Sequence, residues 1–501
     1  MLTFQNGNSD EWGIPQAAID KMEELLLKRQ VRIHGYMLLK GKEILAEKYF
    51  APYHKNDLHR MYSITKSMVA LAVGLLEKNG MISLDDKICG YFPEKLPEGG
   101  AHPWCAEMTI RDMLTMRTCF ASTTYKNYDW DDWAESFFKV EPDHVPGTVF
   151  NYDTSSAHVL CALVEKLTGM KMLDYMRKEM LDELGFSKEA YVIPDPVGVS
   201  QGGSGIMCTL EDVARVAYLC NHYGTVDGKE FLPEQFMRDA TANQVPTDIQ
   251  QKYDEQCGYG YFIWRSREEG FEFYGLGGQL ALCFPQYDVC FMTMSDTIGS
   301  PAGLQILHDC FYDNIYPYFE KMVEKQNMQS VSSNKDNAGS GNSLQKTPTL
   351  NEASAGTASS ADSLKDMAEK QKNTILAETG GCTYQFYPNA MGWTQVTFDW
   401  DKGIMHFGIP AGDFTLAFSN TEWKQQKFLN TKYNSECRGI WKMGHFLLEC
   451  YIIDEEQGNV RMDFAWKDNR LSVHIVSTNE PFFNALHDSF QGFASAKREG
   501  C

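Results

Sequence analysis

The sequence lacks the patterns that mark secreted and membrane-spanning proteins. Its 14 cysteines are scattered along the chain, which favours reduced, buried thiols over a disulfide framework. Residues 1–10 are polar and show no basic and then apolar leader pattern. The longest clear apolar run, residues 68–76, is far shorter than the roughly 20 residues that cross a bilayer. We therefore expect a cytoplasmic protein.

Patterns for several kinds of chemistry are also absent. A formal net charge of −21 argues against nucleic acid or an anionic membrane as the main partner. The chain has no His-Glu-x-x-His motif and no Cys-x-x-Cys pair, so we expect neither a metal nor another cofactor. The nearest approach to a Gly-x-Ser-x-Gly elbow is the stretch 202–206, and it departs from that pattern at Ile206.

The chain does contain enough apolar sequence for two or three domains. It has 501 residues, of which 43% are hydrophobic and 13% aromatic. Residues 1–325 have the order helix, strands, many helices, strands, helix, which predicts an α+β fold with an antiparallel sheet and a helical cluster. The closing part of this order is predicted as strands at 258–264, 271–275, 279–284 and 288–295 and a helix at 302–323.

The rest of the chain divides into two parts of different character. No aromatic residue occurs between Phe319 and Tyr384, and small polar residues dominate 330–363, so residues 326–378 are predicted to be a flexible linker. Residues 379–501 consist of short alternating runs between turn residues, which predicts a small all-β barrel or sandwich of unknown role. Five tryptophans of this part are expected to lie in its core: Trp393, Trp400, Trp423, Trp441 and Trp466.

One Ser-x-x-Lys pattern stands out because it opens a long apolar helical run. Ser63 and Lys66 are three residues apart at the start of this run, which ends near Asn79, so both side chains lie on one helix face. Burial beside the run would lower the pKa of the lysine and let it act as a base. A serine hydroxyl next to such a base is an activated nucleophile.

The pattern alone is weak, because an N-cap serine with a solvated lysine gives the same spacing. It recurs at Ser136 and Lys139, and twice within residues 332–346. The pair at 63 and 66 is distinguished from these by its position at the start of a long apolar helix that could bury the lysine.

Several stretches of residues 1–325, in the same order and spacing, resemble the serine β-lactamase-like hydrolases, the group of class C β-lactamases, DD-peptidases and family VIII esterases. They are YSITKS (62–67), ISLDD (82–86), TIRDMLT (109–115), PGTVFNY (146–152), GGSGIMCTLED (202–212), GYGYFIW (258–264) and GLGGQ (275–279). The resemblance implies the β-lactamase/transpeptidase-like fold and a serine hydrolase that forms an acyl-enzyme.

The resemblance assigns roles to individual residues. Ser63 falls on the nucleophile, Lys66 on its partner, and Tyr152 on the tyrosine of a Tyr-x-Asn motif, where a phenol with a depressed pKa exchanges protons with the serine. The oxyanion is expected between the backbone N–H groups of Ser63 and of Leu276, with Gly275 allowing close approach of the substrate to the strand.

The sequence departs from the family pattern at two positions. Thr154 replaces the asparagine of Tyr-x-Asn, and its hydroxyl is expected to support the site with a shorter reach. The Lys-Thr-Gly strand motif falls on Phe273, Tyr274 and Gly275, so the lysine that anchors a substrate carboxylate is missing. A charge-assisted hydrogen bond is thereby lost, and this favours a small ester or amide as substrate.

Other hypotheses remain open at this point. A β-lactamase, a D-amino-acid peptidase or a DD-peptidase would use the same nucleophile, and a non-catalytic binding protein could keep the fold. The aromatic-rich stretch 120–150 could wall a cleft or could be ordinary surface packing. The sequence does not settle the oligomeric state.

Overall fold

The structure is a computed structural model, and it describes residues 1–126, 130–298, 300, 302–322, 358–479 and 489–500. The chain forms two units, Met1–Gln326 and Asn327–Cys501. Most of the linker predicted at 326–378 lies outside the described residues, and its last part belongs to a helix at Ala358–Thr379. Within the described ranges, no helix is both long enough and apolar enough to cross a membrane.

The first unit is built on a seven-stranded sheet, and all but one of its strand pairings are antiparallel. The exception is the short first strand, which runs parallel to its neighbour. In spatial order the strands are Gln5–Asn6, Glu43–Tyr49, Arg32–Lys40, Val289–Asp296, Gln279–Phe284, Phe271–Gly275 and Trp264–Arg265.

Helices cover this sheet, and their ends agree with the local sequence. Thr209 begins one of them with a capping box that it shares with Asp212, as its sequence predicts. The helices of this unit are Gln16–Lys28, Ile64–Lys78, Pro103–Glu107, Ile110–Leu114, Trp133–Lys139, Thr154–Thr168, Met172–Met176, Asp182–Leu184, Leu210–Asn221, Glu234–Thr241 and Gln305–Asn314, with a π-helical turn at Arg177–Leu181.

Two elements predicted in this unit differ in the structure. The strand predicted at 258–264 is present only at Trp264–Arg265, because Gly258 and Phe262 have φ values of 105° and 51° and the backbone turns there instead of extending. The closing helix predicted at 302–323 is Gln305–Asn314, and Pro317 comes after it within a 3₁₀ turn at Tyr316–Tyr318.

The second unit is a nearly closed ten-stranded barrel, which decides between the barrel and the sandwich predicted from sequence. Trp393 is buried in its core, and Trp400, Trp441 and Trp466 pack against that core. Trp423 does not, since its ring lies under Arg438 and against Tyr451, so its assignment to the core was wrong. The strands in spatial order are Gly412–Ala417, Ile404–Ile409, Gln395–Asp399, Thr383–Phe386, Gly492–Gly500, Arg470–Asn479, Gln457–Lys467, His445–Ile453, Asn434–Lys442 and Lys424–Lys427.

The cysteines of the described residues are mostly reduced. Twelve are free thiols, and all of these are buried except Cys257. Cys382 takes part in a disulfide bond, so it is the exception among the described cysteines to the reduced thiols that the sequence favours.

Candidate active site

Ser63 lies at the start of the helix Ile64–Lys78, which we call the serine helix. Every residue from Ile64 to Leu76 on this helix is buried, so the helix runs through the core and presents only its first turn to the site. The residue before the serine, Tyr62, has a φ of 45°, a strained conformation for a bulky side chain that is typical of functional positions. The turn thus fixes where the Ser63 hydroxyl points.

Lys66 lies beside the serine, as the spacing predicts. Its Nζ is 2.9 Å from Ser63 Oγ and donates a second hydrogen bond of 2.7 Å to the carbonyl oxygen of Gly203. The side chain is only 1% exposed. Burial lowers the pKa of Lys66 to about 7, although the nearby Asp153 carboxylate opposes the shift. A large fraction of the amine is therefore neutral near pH 7 and can accept a proton.

Tyr152 is the third member of the predicted group, and the structure places it against the other two. Ser63 is close enough to its hydroxyl to lower the pKa of the phenol, and Lys66 Nζ is 4.9 Å from the centre of its ring. Burial raises the pKa of Tyr152, and Ser63 only partly opposes this. The expected phenol of depressed pKa is therefore not found, and the resting hydroxyl is neutral because a buried phenolate would be desolvated.

An aromatic wall holds Tyr152 in place. The indole of Trp264 stacks on its ring with centres 5.7 Å apart and an angle of 20°. Tyr259 and Phe150 pack edge-on against that indole. Trp264 ends the stretch GYGYFIW (258–264), but no sequence pattern shows that its indole stacks on Tyr152, because the two residues are more than 100 positions apart in the chain.

The strand Phe271–Gly275, which we call the oxyanion strand, ends beside the serine helix. A Cβ atom at Gly275 would lie 2.2 Å from the carbonyl oxygen of Met61, so only glycine fits there. Leu276 is the next residue. In the described part of the chain, the backbone N–H groups of Ser63 and Leu276 have no backbone acceptor, which leaves both able to donate to an oxyanion.

The two departures from the family pattern have different structural results. Thr154 turns its methyl group toward Gly203, where a Cβ atom would lie 2.1 Å away, and its backbone N–H donates to Thr123 Oγ1. The second hydrogen bond of the Lys66 amine therefore goes to a main-chain carbonyl. Phe273 is 1% exposed and belongs to the core, so this position offers nothing polar to a substrate.

Asp153 is a functional candidate that the sequence analysis missed. Its carboxylate accepts hydrogen bonds from the N–H groups of Ser155 and Ser156 at the start of the helix Thr154–Thr168. Burial raises the pKa of Asp153 to about 6, and the hydrogen bonds and the Lys66 charge oppose that shift. An aspartate just before a helical run is a recognisable N-cap, which could have revealed it.

Part of the aromatic stretch 120–150 borders the site, and part of it packs in the core. Tyr125 stacks on Trp133 at 4.4 Å, and Trp133 lies against His158, which pairs with buried Asp195. Phe137 and Phe138 are ordinary core residues. Tyr128, also part of this stretch, lies outside the described residues. Lys126, also in this stretch, is close enough to Lys66 to lower the pKa of that amine. Part of the stretch therefore borders the site.

The antiparallel sheet, the helical cluster and the serine–lysine pair at the first turn of a buried helix define the β-lactamase/transpeptidase-like fold. The family model described as Beta-lactamase matches residues 19–305, more than half of the 501 residues. The chain therefore belongs to the beta-lactamase family, which confirms the resemblance found in the sequence.

Individual relatives are distant. The chain is 24% identical over 225 residues to the 6-aminohexanoate-dimer hydrolase of Paenarthrobacter ureafaciens, covering 42% of this chain and 57% of that protein. It is 26% identical over 184 residues to esterase EstB of Burkholderia gladioli, covering 32% of this chain and 46% of that protein. The matches thus span about half the length of these two relatives.

A solved structure shows the same fold. A penicillin-binding protein homologue from Caulobacter crescentus superposes with a TM-score of 0.50 at 16% identity, covering 62% of this chain and 99% of that one. At this level of identity the likeness concerns the fold alone.

Proposed function

We propose that the protein is a serine hydrolase that forms an acyl-enzyme on Ser63 and acts on small esters or amides. The observation that carries the proposal is the 2.9 Å contact between Ser63 Oγ and the buried amine of Lys66, whose pKa burial lowers to about 7. A neutral amine at this distance is a general base for the hydroxyl.

In the acylation step, neutral Lys66 takes the proton of Ser63 as the Oγ atom attacks the substrate carbonyl. The tetrahedral oxyanion is held by the backbone N–H groups of Ser63 and Leu276. The hydroxyl of Tyr152 is neutral and lies next to Ser63. It passes a proton to the leaving alcohol or amine and is then reprotonated by Lys66. Bond formation at Oγ and loss of the leaving group produce the acyl-enzyme.

In the deacylation step, water takes the position of the leaving group. The Lys66 and Tyr152 pair accepts the proton of that water, the hydroxide adds to the ester carbonyl, and Oγ leaves with a proton. The buried surroundings keep these hydrogen bonds strong, because few water molecules compete for them.

Small esters and amides are favoured over β-lactams by the structure of the oxyanion strand. Phe273 is buried where a cationic anchor for a carboxylate is expected, so recognition of an anionic substrate loses that contact. The names of the relatives, an esterase and a 6-aminohexanoate-dimer hydrolase, agree with this preference. We also propose a cytoplasmic location, which the twelve free thiols among the described residues support.

The test is a covalent probe combined with turnover. Wild type and Ser63→Ala are incubated with a fluorophosphonate and examined by intact-mass spectrometry, and p-nitrophenyl acetate, p-nitrophenyl butyrate and nitrocefin are assayed with the same preparations. We expect one adduct on wild type, none on Ser63→Ala, ester turnover, and no nitrocefin hydrolysis.

Other outcomes identify the alternatives. An adduct together with nitrocefin turnover would indicate a β-lactamase or peptidase. Absence of both adduct and turnover in folded protein would contradict the proposal and indicate a binding protein that kept the fold.

A further inference from the structure

A second polar group lies next to the proposed catalytic residues and takes no part in the mechanism above. It consists of Lys252, Glu255 and Tyr274, which we call the rim triad. Lys252 Nζ is 2.8 Å from Glu255 Oε1 and 3.0 Å from the Tyr274 hydroxyl, and that hydroxyl donates to Glu255 Oε1 over 3.1 Å. The three side chains therefore form a closed ring of hydrogen bonds.

Tyr274 and Glu255 connect the rim triad to the proposed catalytic residues. Tyr274 directly precedes Gly275 at the end of the oxyanion strand. Its ring is 6.2 Å from the indole of Trp264, which stacks in turn on Tyr152. The negative charge of Glu255 also contributes to raising the pKa of Tyr152, so its field extends to the reacting groups. A substrate bound at Ser63 would thus present its flank to this triad.

The hydrogen bonds of the rim triad leave one strong acceptor unused. Both donors converge on Oε1 of Glu255, and among the described residues no donor reaches Oε2. The Glu255 side chain is 15% exposed and that of Lys252 is 37% exposed, so the two charges compensate each other at a partly exposed rim, and Oε2 is the carboxylate oxygen that no donor of the triad covers. A carboxylate oxygen in this state accepts a hydrogen bond most strongly from an ammonium group.

From this geometry we propose that Glu255 is a specificity-determining residue that selects esters or amides carrying a protonated amine. Lys252 and Tyr274 are positioning residues that hold the carboxylate through Oε1 and aim Oε2 at the substrate. The inference rests on the proposed serine hydrolase function and adds a substrate class to it. An anionic substrate gains no such contact at Oε2, because an ionised carboxylate has no hydrogen to donate to it.

The experiment compares matched substrates that differ only in charge. For the acyl side, p-nitrophenyl 6-aminohexanoate is compared with p-nitrophenyl heptanoate and with the p-nitrophenyl monoester of pimelic acid. For the alcohol side, 4-aminobutyl butyrate is compared with pentyl butyrate in a pH-stat. Each is assayed with wild type, Glu255→Gln, Lys252→Met and the control Glu94→Gln, which removes a carboxylate from an exposed ion pair with Lys166 elsewhere on this unit.

The quantity that decides is the ratio of kcat/KM for the amine substrate to that for its neutral partner, since losses common to both cancel. On at least one side we expect the wild-type ratio to exceed one and to fall about tenfold or more in Glu255→Gln, the size of one hydrogen bond to a charged group. Glu94→Gln should keep the wild-type ratio. Lys252→Met should retain a ratio above one, because it removes a competing donor from the carboxylate.

Two results would overturn the inference. One is a ratio unchanged in Glu255→Gln for both substrate pairs. The other is a preference of wild type for the pimelate monoester that is lost in Lys252→Met, which would assign the subsite to anions. If the neutral esters are turned over and labelled at Ser63 in either case, the hydrolase function stands and only the substrate class fails.

Discussion

The Lys66 amine donates a 2.7 Å hydrogen bond to the carbonyl oxygen of Gly203, a residue 137 positions further along the chain. This carbonyl and Ser63 Oγ together fix the amine between two oxygens. Because Gly203 has no side chain, the Thr154 methyl group can close over it. The base of the proposed reaction is thus oriented by the main chain.

Replacing Lys66 by Met should abolish most activity. The change keeps the apolar stem and removes the base, so kcat/KM for p-nitrophenyl butyrate should fall by about 10²-fold or more. The melting temperature should change little. Removing the buried amine eliminates its desolvation penalty, and this offsets the cost of leaving the Gly203 carbonyl without a donor. The matched control is Lys139→Met, which alters a second Ser-x-x-Lys lysine that lies on the surface. If both variants lose activity alike, the assignment of Lys66 as base is wrong.

Activity should rise with pH through a midpoint near the pKa of Lys66, which burial lowers to about 7. Below that value the amine carries a proton and cannot accept another from Ser63, so the rate falls as pH decreases. A profile of kcat/KM from about pH 5 to about pH 9 measures this. A flat profile over that range would contradict a lysine base.

A variant at Asp153 tests the cause of that midpoint. The Asp153 carboxylate raises the pKa of Lys66, so Asp153→Asn should move the acidic limb of the profile to lower pH. Asparagine keeps one of the two carboxylate oxygens, so one of the N–H groups of Ser155 and Ser156 retains its acceptor. A shift to higher pH would show that Asp153 acts in another way.

Gly275→Ala should disable the site without unfolding the unit. The added methyl group would lie 2.2 Å from the Met61 carbonyl oxygen, so the oxyanion strand must move away from the serine helix. Displacements of about 1 Å in a reacting geometry can cost about 10²-fold in rate, and we expect a loss of that order. Gly90→Ala is the control, since no atom lies within 4 Å of its added carbon. Wild-type turnover in Gly275→Ala would argue against the proposed oxyanion site.

Tyr152→Phe separates the hydroxyl from the ring. The variant keeps the stack on Trp264 and loses the hydroxyl that lies next to Ser63. We expect kcat for esters to fall by about 10²-fold with little change in melting temperature. Tyr259→Phe, in the same aromatic cluster, should stay close to wild type. Equal losses in the two variants would mean that the hydroxyl of Tyr152 has no specific role.

The local part of the site could be predicted from sequence, and the long-range part could not. Helix geometry explains the spacing of Ser63 and Lys66 and the apolar residues after them, and the structure reproduces both. The acceptor at Gly203, the stack of Trp264 on Tyr152 and the Glu255 carboxylate depend on chain segments that meet only in the folded state. No local pattern encodes those contacts.

The fold shows the same division. Capping at Thr209 and the hairpin Arg32–Lys40 with Glu43–Tyr49 are local features, because a capping box and a short turn involve only residues that are close in the chain. The prediction of a strand at 258–264 was wrong because Phe262 has a backbone φ of 51°. This value is unusual for an aromatic residue, and the alternation of apolar and polar residues in the sequence does not reveal it. The barrel was predicted only as a barrel or a sandwich, because the two architectures share the same pattern of short strands.

Trp264 is in ring contact with both Tyr152 and Tyr274. It is therefore a built-in fluorophore that contacts the proposed proton carrier and the rim triad. Indole emission responds to charge and hydration in its surroundings. Binding of a ligand at the proposed site should consequently change the emission of this side chain, which the difference between the spectra of wild type and Trp264→Phe separates from that of the other nine tryptophans. Occupancy could then be monitored without a chromogenic leaving group, including in variants that no longer turn over.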